Sequence, residues 1–133
     1  RVFLMQSVHV PHDAIIQDDV VITPMVVMGG IVRVLAGANL AVGCSVHQYS
    51  IIGHYSIVAM GAALTKNLRP FSKYVPGREI SVNEYAVKKY GFSDVSDQIS
   101  AYLLEGARPT DMRLLKIVNE FETLSAESGR YVY

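Results

Sequence analysis

The chain has 133 residues, of which half are hydrophobic and 18% charged, and its twelve Lys and Arg balance its twelve Asp and Glu. That composition excludes a disordered chain, and zero net charge excludes a global field for nucleic acid or for an anionic membrane surface. A single cysteine excludes an intrachain disulfide and multi-thiolate zinc sites, in keeping with a reducing, cytoplasmic setting; nothing resembles a signal peptide or a bilayer-spanning apolar run.

The chain opens RVFLMQ, with no initiator methionine and as though entered in mid-pattern, so the natural protein is expected to carry residues upstream. The pattern itself has a period of six. From Leu4, steps of six reach Val10, Ile16, Ile22, Met28, Val34, Leu40, Val46, Ile52, Val58 and Leu64, all large and aliphatic. Two residues earlier runs a row of small or β-branched residues that includes Val8, Ala14, Val20, Val32, Ala38, Cys44, Ser50, Ser56 and Ala62. Both rows break at Pro70.

A helix needs a period near 3.6 and an ordinary strand a period of 2, so neither fits. Hexapeptide repeats fit: three short strands and three turns make one triangular coil, the large residue points inward, and the small one sits near the tight corner. Eighteen residues per coil give three to four coils between Leu4 and Leu64. The competing account, a β-sandwich with accidental spacing, has to explain eleven matches in register. Gly37, Gly43, Gly53 and Gly61 are expected at corners, where a positive φ costs glycine least. Cys44 falls on the small inward row and reads as a buried, unreactive thiol.

Within the first coil, HVPHDA at His9 to Ala14 sets two histidines three apart with an aspartate after the second. Such a pair is either a solvated turn or a general base whose neighbouring acid fixes its tautomer. One coil beyond His12 lies Gly30, and a second coil reaches Gln48 with His47 beside it. All share one face, roughly 10 Å long, that could line a cleft. A flat β-helix wall is not itself a pocket, so a second subunit would have to complete it. His9, His12 and His47 lack a partner carboxylate or thiolate at ligand spacing, so no metal site is expected.

The organisation divides into coils over residues 1–70 and a helical region over 71–133. Asn83 to Tyr90 predicts a short helix; Ser93 reads as the N-cap of a second with Val95, Ile99, Tyr102 and Leu103 on one face, punctuated by Gly106 and Pro109. A third, from about Thr110, carries Leu114, Ile117, Val118, Phe121 and Leu124 and stops near Gly129.

HVPHDA, Met28-Gly29-Gly30, Val46-His47-Gln48-Tyr49, Asn83 and Lys88-Lys89-Tyr90-Gly91-Phe92-Ser93 together resemble, in order and nearly in spacing, the second half of the bacterial UDP-N-acetylglucosamine O-acyltransferases. The resemblance implies a left-handed parallel β-helix followed by a small α-helical region, a homotrimer with active sites between subunits, and transfer of a 3-hydroxyacyl group from acyl carrier protein to the 3-hydroxyl of UDP-N-acetylglucosamine, which begins lipid A synthesis. No bound cofactor is implied; the donor carries its own phosphopantetheine. His12 matches the general base and Asp13 its acidic neighbour. His9, His47 and Gln48 match positions lining the cleft, and Asn83 and Lys89 match an asparagine and a basic residue that hold the nucleotide or the phosphopantetheine arm. An oxyanion donor is expected near Gly30. Met60 matches the position limiting acyl length, which implies a shorter chain than glycine would admit; packing between coils is the alternative.

Three departures concern the acceptor. Ile31 stands where the family has histidine, Lys89-Tyr90 replaces a basic pair, and Gly77-Arg78-Glu79-Ile80 replaces a G-N-x-A segment. Two other functions therefore stay open: a coenzyme A-dependent N-acetyl- or N-acyltransferase acting on an amino-sugar nucleotide, and a noncatalytic trimeric β-helix scaffold.

Overall fold

A computed structural model describes residues 1–133. Ten short strands follow one another at the expected spacing: β1 (Val2–Leu4), β2 (Ile15–Ile16), β3 (Val20–Ile22), β4 (Val27–Met28), β5 (Arg33–Val34), β6 (Asn39–Leu40), β7 (Ser45–Val46), β8 (Ile51–Ile52), β9 (Ile57–Val58) and β10 (Ala63–Leu64). From β1 to β7, each pairs in parallel with the strand of the next coil, eighteen residues on, as in Val2 with Val20, Val21 with Asn39 and Asn39 with Ile57. The three faces are the sheets β1-β3-β6-β9, β4-β7-β10 and β2-β5-β8. The chain is a parallel β-helix of about four turns.

The large row lines the interior. Ile22, Val34, Leu40, Ile52 and Val58 are wholly buried, with Val20, Val32, Ala38 and Ala62 of the small row beside them. Each fully buried Val, Leu or Ile contributes about 1.5–3 kcal/mol, so the repeat is the dominant stabilising device. Cys44 is buried in this stack, and burial pushes its thiol up to about 11. Leu4 and Val10, by contrast, are exposed.

The turn row is less glycine-rich than expected. Positive φ recurs every six residues at Ser7, Asp13, Asp19, Met25, Ile31, Gly37, Gly43, Tyr49, Tyr55 and Gly61, so seven of these ten corners hold side chains that pay for the left-handed conformation. Gly53 is not among them. Its lack of a side chain serves close approach: a Cβ there would lie 2.5 Å from Pro70 N and 2.6 Å from the Leu68 carbonyl oxygen.

That crowding marks a shift of phase. The coils do not end at residue 70; the last one is two residues short. Ile52 pairs with Leu68 and Ile57 with Lys73 of β11 (Ser72–Tyr74), offsets of sixteen. The core row continues as Leu68, Tyr74 and Ile80, and the corner row as Phe71 and Gly77. Strand β12 (Ser81–Val82) then turns back antiparallel on β11 and closes the sheet.

Three helices follow. Asn83 caps α1 (Glu84–Lys89), accepting from Ala86 N at 3.4 Å. Ser93 does not cap the second helix; Ser93–Val95 forms a 3-10 turn, and α2 (Ser96–Glu105) begins after it and ends on Gly106 at φ 71°. Asp111 accepts from Arg113 N and Leu114 N at the start of α3 (Met112–Ser128), which ends on Gly129 at φ 68°. The helices pack on the coils of their own chain. Phe121 of α3 joins Leu35 and Ile51, and the buried Asn67 donates from Nδ2 to Ser125 and Ser128 while its Oδ1 accepts from Ile51 N at 2.8 Å.

Candidate functional site

The three corners of the prism are chemically different. One stacks His12, Gly30 and Gln48, joined by Ile31 N to the His12 carbonyl and Tyr49 N to the Gly30 carbonyl, each at 3.1 Å. A second stacks Gln6, Pro24, Val42 and Met60; the third stacks Asp18, Ala36 and His54. Between the first two lies the β4-β7-β10 face, whose outward residues Val27, Ser45 and Ala63 are exposed. His9 bridges Val27 and extends this face by one coil.

On the first corner, Asp13 takes a positive φ of 56°, which swings its carboxylate back to His12: Oδ2 lies 3.2 Å from Nδ1. A carboxylate accepts, so Nδ1 carries the proton and Nε2 is left with its lone pair. The ring lies directly over Gly30, whose missing side chain makes the space: a Cβ there would overlap Nε2 and come 2.6 Å from Cε1. The Gly30 and Gln48 amides donate to no acceptor within the chain. His12 and Asp13 are both exposed.

His47 and Gln48 meet a residue the sequence gives no reason to suspect. Arg130, just past the end of α3, donates from Nε to the Gln48 carbonyl at 2.8 Å, from Nη1 to the Thr65 carbonyl at 2.7 Å, and from Nη2 to His47 Nδ1. With Arg130 83 positions beyond His47, no local spacing could have linked them. Met60 is exposed at the second corner, across the β4-β7-β10 face from the histidines, and does not pack between coils.

Asn83 and Lys89 do not join this group. Asn83 is buried at the third corner, where Nδ2 donates to the Tyr55 carbonyl at 2.9 Å and the amide oxygen caps α1. Lys89 lies over the Tyr85 and Tyr90 rings, near Arg1 and Asp19. The third corner also holds His54, buried, whose Nε2 is paired with Glu120 of α3 and whose Nδ1 has no partner. Burial lowers the His54 pKa below 6.5, against the opposing pull of Glu120.

No protein-family model matches the chain. It is 30% identical over 101 residues to the acyl-[acyl-carrier-protein]–UDP-N-acetylglucosamine O-acyltransferase of Herminiimonas arsenicoxydans, an alignment covering 74% of this chain and 38% of that protein. The enzyme of the same name from Gloeothece citriformis is 28% identical over 105 residues, 76% of this chain and 38% of the relative. The chain is a relative of the UDP-N-acetylglucosamine O-acyltransferases. It spans about two fifths of the length of these curated relatives. Among solved structures, the UDP-N-acetylglucosamine acyltransferase of Francisella novicida superposes with a TM-score of 0.77 over 99% of this chain and 54% of its own, at 22% identity. The superposition covers both the coils and the helical region.

Proposed function

We propose that the protein transfers a 3-hydroxyacyl group from acyl carrier protein to the 3-hydroxyl of UDP-N-acetylglucosamine, with His12 as general base. The observation that carries this reading is the oriented His12 ring, with Asp13 on Nδ1 and a free Nε2 over Gly30. In the reaction Nε2 takes the hydroxyl proton as the sugar oxygen attacks the thioester carbon. The carbonyl oxygen gains negative charge and is met by an unspent amide such as Gly30 N–H. The C–S bond then breaks, and the proton on Nε2 passes to the departing sulfur, which leaves as the thiol. The base role is worth about 10²–10⁴ in rate.

The acyl chain has a ready path along the exposed β4-β7-β10 face towards Met60. This face is flat in one chain, and Asn83 and Lys89 lie at or near another corner, too far round the prism to meet His12. A site using all of them has to be shared between copies, which supports a homotrimer. Acyl transfer to UDP-N-acetylglucosamine is to be assayed with 3-hydroxyacyl carrier protein and with acetyl coenzyme A, for wild type and His12→Ala. Transfer from the carrier protein that vanishes in the variant is the expected result; transfer from coenzyme A alone would overturn the carrier-protein donor, no transfer from either would overturn this acceptor and favour the amino-sugar or scaffold alternatives, and activity unchanged by the substitution would remove His12 as base.

A further inference from the structure

The two histidines of the first corner have opposite partners at the same ring nitrogen. His12 Nδ1 faces a carboxylate, Asp13, which can only accept. His47 Nδ1 faces the guanidinium of Arg130, which can only donate. The Gln48 carbonyl also lies 3.3 Å from His47 Nδ1 and could accept a proton from it, but that carbonyl already receives Arg130 Nε at 2.8 Å. With Thr65 taking Nη1, Arg130 is anchored by two backbone carbonyls at fixed points of successive coils, and its third donor has His47 Nδ1 as its target. The lone pair of His47 is therefore consumed at Nδ1, and its N–H is on Nε2, at the ring edge away from Arg130.

We propose that Arg130 is a positioning residue that fixes His47 in the Nε2–H form, so that His47 offers the cleft a hydrogen-bond donor for an oxygen of the acyl donor while His12 alone offers a base. The role in acyl transfer rests on the function proposed above; the tautomer does not. The division of labour follows from the two partners: an imidazole with its lone pair held by Arg130 has no basic nitrogen to present, whereas Asp13 leaves His12 with one. It also gives the turn after α3 a purpose beyond covering the coils, since Gly129 at φ 68° is what carries the chain round to bring Arg130 to this corner.

The test is imidazole 15N NMR on the labelled protein in mildly alkaline solution, with the His47 signals assigned by their loss in His47→Gln. The expected spectrum has His47 protonated on Nε2 and His12 protonated on Nδ1. In Arg130→Met the His47 ring should become a mixture of tautomers, and Arg130→Lys should restore the wild-type form. A parallel assay should show KM for the acyl donor rising about fivefold in Arg130→Met, the weight of one hydrogen bond, with KM for the nucleotide sugar unchanged and partial recovery in the lysine variant. His47 protonated on Nδ1 in the wild type, or a His47 tautomer indifferent to Arg130→Met in a folded protein, would overturn the proposal. The wild-type spectrum decides it even where the methionine variant does not fold, and it does so whatever substrate the site takes.

Discussion

His12 and Gly30, one coil apart, interlock: the imidazole occupies the volume that any side chain at residue 30 would need. Gly30 itself has no positive φ, and the three atoms nearest a Cβ there all belong to the His12 ring, so Gly30→Ala should fold normally. The ring is exposed and can swing aside at little cost. Displacing the base by even 1 Å costs on the order of 100-fold in rate. Steady-state kinetics on Gly30→Ala should show a fall of that size in kcat with the unfolding midpoint within about 0.5 kcal/mol of wild type. A variant with full activity would mean that the ring's seat over Gly30 is irrelevant to catalysis.

Gly53 and Gly43 test two different uses of glycine. At Gly43 the φ of 68° is the only obstacle, and alanine there meets nothing within 4 Å, so Gly43→Ala should cost about 1–2 kcal/mol. At Gly53 the φ is ordinary, but the methyl group would meet backbone atoms of Leu68, Arg69 and Pro70, which cannot rotate away. Gly53→Ala should cost about 1–3 kcal/mol through overpacking and displace the shortened last coil. Urea unfolding, with amide exchange at Leu68 to Phe71 as the local reporter, separates the two: only Gly53→Ala should loosen that segment.

This contrast also shows what the sequence could reveal. A row such as Ile22, Met28, Val34 and Leu40 is a local rule repeated, so fold and register were legible from period alone. The continuation at Leu68, Tyr74 and Ile80 was hidden because a two-residue deletion changes the phase without changing the composition. The corners were misread for a related reason. Stacking forces residues such as Ile31 and Tyr49 into positive φ, a conformation their own preferences oppose. At the site, His12, Gly30 and Gln48 were readable because they share one repeat position. Arg130 was not, because its placement depends on how α3 packs on Ile51 and Leu35.

His54 should make stability depend on pH. Its folded pKa is lowered by burial below the unfolded value near 6.5, the hydrogen bond and charge of Glu120 opposing this in part. Between those two pKa values the unfolded chain binds the proton and the folded chain does not, so stability is fully present above pH 6.5 and is lost as pH falls through the folded pKa. Arg113, Lys116 and Gln17 line a pocket together with His54 and Glu120 and add no acid to offset the effect. Urea midpoints measured between pH 8 and 5 should fall in wild type and stay flatter in His54→Gln. Equal slopes in the two proteins would show that another group controls the acid limb.

Met60 should set acyl length by ending the β4-β7-β10 face. It projects from the second corner with 73% of its surface exposed, so nothing in the chain fixes its rotamers and nothing collapses when it is trimmed. Met60→Gly should therefore leave stability nearly unchanged while opening the far end of the path that begins at His12. Each methylene of a longer acyl chain that gains cover is worth about 0.8 kcal/mol, close to a fourfold change in preference. Competition between 3-hydroxyacyl carrier proteins of increasing length should move the wild-type optimum up by several carbons in the glycine variant. An unchanged optimum would mean that the acyl chain does not run along this face, and would redirect attention to the groove between the coils and α3 lined by Ile31, Tyr49 and Leu124.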